Sequence, residues 1–421
     1  MRLAVVSHIP VYPTTAGNRA RVLGLIQALQ ELGHEVIFIQ IPSGPYDAPE
    51  SAARHEALVG AGNFYDLTRL SAPARLAKWL KAFPVRAVSR LSKLARIDTP
   101  WRYWRPLDSH ISGETVRAAQ AIIHTRGCEA CIVEYVFHSA VLVGLPGQVR
   151  KLIDTHDQFS NRHVGYAATG LGDSYWVSLR PRAERRGLAR ADGVLAIQEA
   201  EAAAFAAMLR GEPHAPLVRV VSHFLPRTDD PTPGHVLPSS VLPGPPHRAT
   251  FVASSNSANV QALALFLERG LPEVIRRDPE FRLLLAGAIC AAVPDHPRVD
   301  KFGRFDRLGD VFARAPISLN PVLSGSGISV KALESLAAGA PVIATETGAR
   351  GLGALAGDGL RILPDGDWSA YADALCALTL DPERCAREGT QARLAAADWN
   401  QRQRAGLERL LKQEGPSTLR A

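Results

Sequence analysis

The pattern that most constrains the fold is an alternation of short apolar runs with helix-patterned segments along the 421 residues. An apolar run at 3–6 is followed by a segment at 20–32 whose apolar residues recur at helical spacing, and then by a second apolar run at 36–41. Gly33 marks the predicted end of the helix. Because strands that alternate with helices form parallel sheets covered by helices, the chain is predicted to be an α/β protein with doubly wound sheets.

The alternation continues towards the C-terminus with one interruption that is rich in proline. Apolar runs predict strands at 131–134, 151–154, 194–197 and 217–221, and then at 250–253, 281–286, 317–320 and 342–344. Between the two series, seven prolines fall within 226–246, which is typical of a connection between domains. We expect a Rossmann-like domain over 1–225, a linker over 226–248 and a second Rossmann-like domain over 249–395.

Composition is typical of a globular protein of the cytoplasm. Hydrophobic residues make up 46% of the chain and charged residues 21%, which excludes a mainly disordered protein. Apolar runs stay well short of the roughly 18 residues of a membrane span, and the first residues turn polar too early for a secretory signal. Five cysteines are an odd number for a disulfide framework, so we expect reduced thiols and a cytoplasmic location.

The net charge of +7 is concentrated in residues 71–106, called here the basic segment. The basic segment holds nine basic residues against Asp98 alone, and aromatic residues are interleaved with them. Basic and aromatic groups together suit the headgroup region of an anionic bilayer; the alternative is a solvated basic face. One local patch is not typical of a nucleic-acid binder, so we expect peripheral membrane contact and no nucleic-acid partner.

A loop of small residues after the predicted strand 317–320 is the strongest candidate for a ligand site. Ligands of open α/β sheets bind at the carboxyl ends of strands. The small residues 325–327 precede a predicted helix that carries Lys331 and Glu334, so an anion can approach the positive end of that helix. The lysine can reach a diphosphate, and the carboxylate can accept hydrogen bonds from ribose hydroxyls. The alternative is a plain turn and an exposed Lys331–Glu334 ion pair.

Two short motifs have the spacing of metal sites, and both are better explained otherwise. Cys128 and Cys131 are spaced like half a zinc site, but no second Cys or His pair accompanies them. Asp365 and Asp367 precede a predicted helix, where a turn and a helix cap are expected. We therefore expect no metal ion and no cofactor other than a nucleotide-sugar co-substrate.

The stretch 324–345 resembles the donor-binding motif of bacterial glycosyltransferases of the GT-B fold, in the retaining family 4 type, also called glycosyl transferases group 1. It begins SGSG, carries Lys331 and Glu334 in its helix and ends GAPVIAT. Further stretches that resemble this family lie at 14–19, 33–36, 154–157 and 191–194, together with Asn259. The resemblance implies two Rossmann-like doubly wound domains facing each other across a cleft, with a C-terminal helix within 396–421 crossing back to the first domain.

The resemblance also implies roles for particular residues. The implied catalytic residues are His156, Lys331 and Glu334. The implied donor-binding residues are Gly325, Ser326, Gly327, Ile328, Ser329, Lys331, Glu334, Asn259 and Arg304. The implied acceptor residues are Gly17, Asn18, Glu134, Tyr135 and Asp157. A structural role is the alternative for some of them, with His156 hydrogen-bonded to Asp157 and Asn18 capping a helix.

Two departures from the family pattern concern the donor. Many relatives carry a glutamate where Ser326 stands, so the identity of the donor sugar does not transfer to this chain. Many relatives also place an arginine after the first strand of the second domain, and the stretch 251–259 contains none. Lys331 and backbone N–H groups are therefore expected to neutralise most of the phosphate charge, with Arg304 as an additional cation.

The predicted function is metal-independent, retaining sugar transfer of hexosyltransferase type. The donor is a nucleotide-diphosphate sugar held by the second domain, and the first domain holds a lipid-linked or cell-surface glycan acceptor. The alternatives are a non-hydrolysing sugar-nucleotide epimerase and a non-catalytic scaffold partner. A nicotinamide oxidoreductase is not expected, because no G-x-G-x-x-G follows the first strand.

Overall fold

The computed structural model describes most of the chain, in two compact units. The described residues are 1–12, 14, 17–42, 49–68, 87, 91, 103–168, 177–225, 245–325, 327–357 and 359–412. Ser326, nearly all of the basic segment and most of the predicted linker lie outside them. The first unit comprises Met1–Phe224 and Gln403–Ala421, and the second comprises Leu225–Arg402.

The described part of the first unit is built around a seven-stranded parallel sheet. Its strands are β1 (Arg2–Ser7), β2 (Glu35–Gln40), β3 (Phe64–Asp66), β4 (Ala130–Glu134), β5 (Arg150–Asp154), β6 (Gly193–Ala196) and β7 (Leu217–Val220). They are arranged β3-β2-β1-β4-β5-β6-β7, and all the pairings are parallel. Strands β2 and β3 therefore lie on one side of β1 and strands β4 to β7 on the other, as predicted for a doubly wound sheet.

Both faces of this sheet are buried, which explains why its strands read as continuous apolar runs. Along β1, Ala4 and Val6 pack into one core cluster while Leu3 and Val5 pack into the other. Helices cover both faces: α1 (Gly17–Glu31), α2 (Pro49–Val59), α3 (Gly113–Thr125), α4 (Arg162–Ala168), α5 (Pro181–Leu188) and α6 (Glu199–Met208). A sheet buried on two sides needs no polar alternation.

The described part of the second unit contains a six-stranded parallel sheet. Its strands are β8 (Arg248–Val252), β9 (Arg282–Ala286), β10 (Val299–Gly303), β11 (Ile317–Asn320), β12 (Val342–Thr345) and β13 (Leu360–Leu363). They are arranged β10-β9-β8-β11-β12-β13, so β8 and β11 are neighbours although some 65 residues separate them along the chain. The direction of winding reverses between these two strands, which is the point where doubly wound sheets bind ligands.

The helices of the second unit follow its strands in turn. They are α7 (Ser257–Leu265), α8 (Leu271–Arg277), α9 (Leu308–Phe312), α10 (Val330–Ala337), α11 (Trp368–Thr379) and α12 (Pro382–Lys412). A π-helical turn, Phe266–Gly270, joins α7 to α8. In the last turns of α12, Leu407 and Leu410 are fully buried in the core of the first unit. Within the described residues, no helix combines the length and the apolar character needed to cross a membrane.

A buried ion pair ties α1 to the middle of the first sheet. The Arg21 Nε atom donates to both oxygens of the Asp154 carboxylate, at 3.0 and 2.9 Å, and Nη2 donates to the carbonyl of Val221 at 2.8 Å. Both charged side chains are at most 2% exposed. Neither charge can be hydrated, so each charged group is stabilised by the other.

We expect Arg21→Met to lower the free energy of unfolding by about 3–5 kcal/mol, because it leaves the Asp154 carboxylate buried without its partner. Urea denaturation followed by circular dichroism measures the change. The control is Lys412→Ala, which removes an ion pair whose members are 71% and 42% exposed and should cost less than about 1 kcal/mol. Equal losses in the two variants would contradict the importance of the buried pair.

Candidate functional site

The predicted donor loop lies at the winding reversal of the second sheet. It leaves the carboxyl end of β11 at Asn320 and enters α10 at Val330. Gly325 and Gly327 have φ angles of 153° and 67°, a backbone region that other residues rarely adopt. The two glycines therefore allow the chain to turn sharply into the helix.

Lys331, on the first turn of α10, meets the helix that follows β8. Its Nζ atom donates to Asn259 Oδ1 at 2.7 Å and lies 4.8 Å from the centre of the Phe251 ring. Burial, together with the positive charge of Arg350, lowers the pKa of Lys331 to about 7. The charged form of this amino group is therefore much less favourable than that of an exposed lysine.

Asn259 is held in place by the first turn of α7. Its backbone N–H donates to the side chain of Asn256, which caps the helix, and its Nδ2 donates to the carbonyl of Ser254 at 3.1 Å. The amide oxygen is thereby directed towards Lys331. The structure brings together two predicted donor residues that lie 72 positions apart.

Glu334 lies one helical turn beyond Lys331. Burial raises the pKa of its carboxyl group to about 7, and within the described residues no hydrogen-bond donor or basic group contacts it. The alternative of a Lys331–Glu334 ion pair is wrong for this conformation, since Lys331 bonds to Asn259 instead. A half-buried carboxylate without a protein partner is suited to accept hydroxyl groups of a ligand.

Part of the predicted backbone anion site is already occupied. The N–H of Ser329 donates to the carbonyl of Arg350 at 3.1 Å, and the N–H of Val330 donates to the carbonyl of Ile328 at 3.1 Å. Ser329 is buried, and its hydroxyl oxygen accepts a hydrogen bond from Asn320. Any anion at this loop must therefore rely on other N–H groups and on side chains.

Arg350 is a candidate site residue that the sequence reasoning missed. It lies in the loop after β12, and its guanidinium carbon is only 2.9 Å from the position that a Cβ atom on Gly325 would take. No local signal in the sequence marks this arginine, because its position depends on the pairing of β11 with β12.

Arg304, the predicted additional cation, is placed differently. It is exposed and follows β10 at the edge of the sheet, where β9 separates it from β8. None of the contacts of the described residues joins it to Lys331.

The predicted catalytic histidine lies in the first unit, where β4 and β5 end side by side. Glu134 and Asp154 are opposite each other in the register of these strands. His156 Nε2 hydrogen-bonds to the Glu134 carboxylate, and its ring stacks on Tyr135 with 4.0 Å between ring centres. Tyr135 and His156 both have positive φ angles, of 65° and 59°. Strain of this kind is common at functional sites.

Two contacts involve the residues predicted to bind the acceptor. The Asn18 side chain, on the first turn of α1, hydrogen-bonds to Tyr135, whose pKa is raised by burial. Asp157 pairs with Arg162 at 3.0 Å. The alternative in which Asp157 holds His156 is wrong, because Glu134 occupies that position. Gly17 begins α1 and is exposed.

Glu134, Asp154 and His156 could together hold a metal ion, since one ligand atom of each lies within 4.8 Å of the others. However, Arg21 donates to both oxygens of Asp154, and Glu134 bonds to His156. A cation at this position would have to displace or oppose the Arg21 charge. The observed arrangement is a buried network of hydrogen bonds around the Arg21–Asp154 ion pair.

Comparison with known proteins agrees with this geometry. Residues 246–381 match the protein family described as Glycosyl transferases group 1. A search of curated proteins gave no match. Among solved structures, sucrose-phosphate synthase from Thermosynechococcus elongatus is 16% identical, with a TM-score of 0.60 over 97% of this chain and 98% of its own.

Two further structures were determined with a nucleotide bound. A TarM mutant of S. aureus in complex with fondaparinux, alpha-GlcNAc-glycerol and UDP is 9% identical, with a TM-score of 0.63 over 98% of this chain and 100% of its own. Anabaena HepE in complex with UDP is 12% identical, with a TM-score of 0.57 over 97% and 100%. The chain therefore has the GT-B fold, and within its second unit residues 246–381 match the glycosyl transferases group 1 model.

Proposed function

We propose that the chain is a retaining, metal-independent glycosyltransferase of the family 4 type, which moves a hexose from a nucleotide-diphosphate sugar to an acceptor hydroxyl. The observation that carries this proposal is the pair Lys331 and Glu334. These groups are half-buried, have strongly shifted pKa values and do not pair with each other. They follow a glycine loop within the segment that matches the family. Paired shifts of this kind are characteristic of functional sites.

In this proposal, Lys331 stabilises the leaving diphosphate. The bond between the anomeric carbon and the phosphate oxygen breaks, and the diphosphate departs with the electron pair. The acceptor oxygen bonds to the same carbon on the same face, and its proton passes to the departing phosphate. An ammonium group directed at the developing negative charge lowers the barrier, because it is already in place before the reaction.

Glu334 is proposed to bind the nucleoside. A carboxylate can accept two hydrogen bonds, and the two ribose hydroxyls can donate them. Because the two structures described above with a bound nucleotide both contain UDP, a uridine nucleotide is the first donor to test.

We further propose that the first unit binds the acceptor. His156 is fixed by Glu134 and Tyr135, so its role is to orient a hydroxyl rather than to act as the base. Asn18, whose side chain interacts with Tyr135, and Asp157, which directly follows His156, are the polar groups proposed to contact the glycan. The acceptor is proposed to be a lipid-linked or cell-surface glycan intermediate, with the basic segment contacting the inner face of the cytoplasmic membrane.

We expect Lys331→Ala to slow the release of nucleoside diphosphate from the donor at least about 100-fold, since it removes the charge that meets the leaving group. The assay incubates the protein with a panel of nucleotide sugars and a membrane lipid extract. Lys301→Ala is the matched control, because Lys301 is exposed and paired with Asp295 in the same unit. Addition of EDTA should leave the wild-type rate unchanged.

Three results would contradict this assignment in different ways. Equal rates for wild type and Lys331→Ala would remove the proposed site. Isomerisation of the sugar without an acceptor would favour an epimerase, and a lack of both turnover and binding with every donor would favour a scaffold protein.

The affinity for nucleoside diphosphate is expected to be greatest near pH 7. Above this pH, Lys331 loses its proton and must regain it on binding; below it, the Glu334 carboxylate becomes protonated and can no longer accept two hydroxyls. Calorimetric titrations across pH measure the profile. In Lys331→Arg the affinity should no longer fall at alkaline pH, because arginine stays charged. In Glu334→Gln the fall in affinity at acid pH should be smaller, because only protonation of the diphosphate itself remains. Unchanged profiles in both variants would refute the assignment.

Membrane contact by the basic segment is tested by sedimentation with vesicles of anionic or neutral lipid. Charge reversal by Lys78→Glu, Lys81→Glu and Arg86→Glu should abolish binding to the anionic vesicles, since each basic group contributes about 1 kcal/mol near such a surface. Identical partitioning of wild type and variant would contradict membrane contact.

A further inference from the structure

We propose that Arg350 is a second cationic ligand of the donor diphosphate, acting beside Lys331 from the loop after β12. The proposal rests on the proposed function of the same site. It assigns to this arginine the phosphate contact for which the stretch 251–259 supplies no basic residue.

The loop that carries Arg350 is fixed to the donor site by its backbone. The carbonyl of Arg350 accepts a hydrogen bond from the N–H of Ser329, the residue that directly precedes α10, at 3.1 Å. Asn320, the last residue of β11, donates its side-chain amide to the carbonyl of Gly348 at 2.5 Å. Gly348 and Arg350 are thus bonded to the two ends of the glycine loop.

A third attachment holds the beginning of the same loop. The backbone N–H and the hydroxyl of Thr347 both donate to the Asp365 carboxylate, at 3.0 and 2.6 Å. The Arg350 Nη1 atom in turn donates to the carbonyl of Thr347 at 3.1 Å. The arginine is therefore anchored at its backbone and at one of its nitrogen atoms before any ligand binds.

The guanidinium group lies directly against Gly325. A Cβ atom built on that glycine would be 2.9 Å from Cζ, 3.0 Å from Nη2 and 3.1 Å from Nε of Arg350. Any side chain at position 325 would push the guanidinium away. The absence of a side chain at Gly325 thus allows the Arg350 guanidinium to contact the glycine loop.

Two positive groups are consequently held at one loop. The positive charge of Arg350 contributes to the lowered pKa of the Lys331 amino group. Like charges placed together in a half-buried position repel each other. An anion bound at the same place relieves this repulsion and restores the proton of Lys331.

The chemistry of a diphosphate matches this pair of cations. A departing nucleoside diphosphate carries several negative charges, which one amino group cannot neutralise. A guanidinium is planar, remains charged and forms paired hydrogen bonds with phosphate oxygens, whereas an ammonium acts as a point charge. Arg350 and Lys331 would supply one of each.

The test measures the binding of UDP, GDP and ADP to the full chain by calorimetry, with the corresponding nucleosides as a second set of ligands. We expect Arg350→Gln to weaken binding of the preferred diphosphate by about 10-fold or more, because a hydrogen bond to a charged group is lost. Nucleoside binding should not change, and Arg350→Lys should recover part of the loss. Arg269→Gln, which removes an exposed arginine of the same unit, should have no effect.

A purely structural role would weaken nucleoside and diphosphate binding alike, whereas the loss of a phosphate contact weakens only diphosphate binding. In Arg350→Gln the repulsion is removed, so the alkaline decline of diphosphate binding should move to higher pH. If this variant fails to fold, the wild type provides the answer: bound diphosphate should slow the modification of Arg350 by phenylglyoxal, read by peptide mass spectrometry, and the nucleoside should not.

The failures of the two proposals are distinguishable. If Lys331→Ala weakens diphosphate binding but Arg350→Gln binds like the wild type, or if diphosphate leaves the modification rate unchanged, the role of Arg350 is overturned and the proposed function stands. If the wild-type protein binds no nucleoside diphosphate, both proposals fail together.

Discussion

The hydrogen bond from Lys331 to Asn259 depends on one topological fact, the pairing of β8 with β11. The helices that follow these two strands, α7 and α10, start at the same edge of the sheet and approach each other there. Asn259 comes from the first and Lys331 from the second. Without the reversal of winding between β8 and β11, neither side chain would reach the other.

This arrangement places charged groups where water solvates them poorly. Lys331 and Glu334 would both be more stable in their charged forms if they were fully exposed. A protein that only needed a stable helix at this position would carry apolar or neutral residues. The unfavourable electrostatics is explained if a ligand that is both anionic and rich in hydroxyl groups completes the site.

The sequence predicted the interior of both sheets better than their edges. Strands buried on both faces, such as β1 and β11, are recognisable as apolar runs, whereas the edge strands β3, β10 and β13 are only half-buried, and no strand was predicted there. The half-buried edge strand β7 is the exception, since a strand was predicted at 217–221. In the site, Lys331 and Glu334 were identified because they share one helix with a glycine loop. Arg350 was missed because its proximity to Gly325 arises from the pairing of β11 with β12, which no local pattern reveals.

The most direct measurement is a crystal structure of the protein soaked with the nucleoside diphosphate that binds it best. The account predicts a phosphate oxygen within about 3 Å of Lys331 Nζ, as expected for a charge-assisted hydrogen bond, and both ribose hydroxyls on the Glu334 carboxylate. A nucleotide bound elsewhere, with Lys331 still bonded only to Asn259, would contradict it.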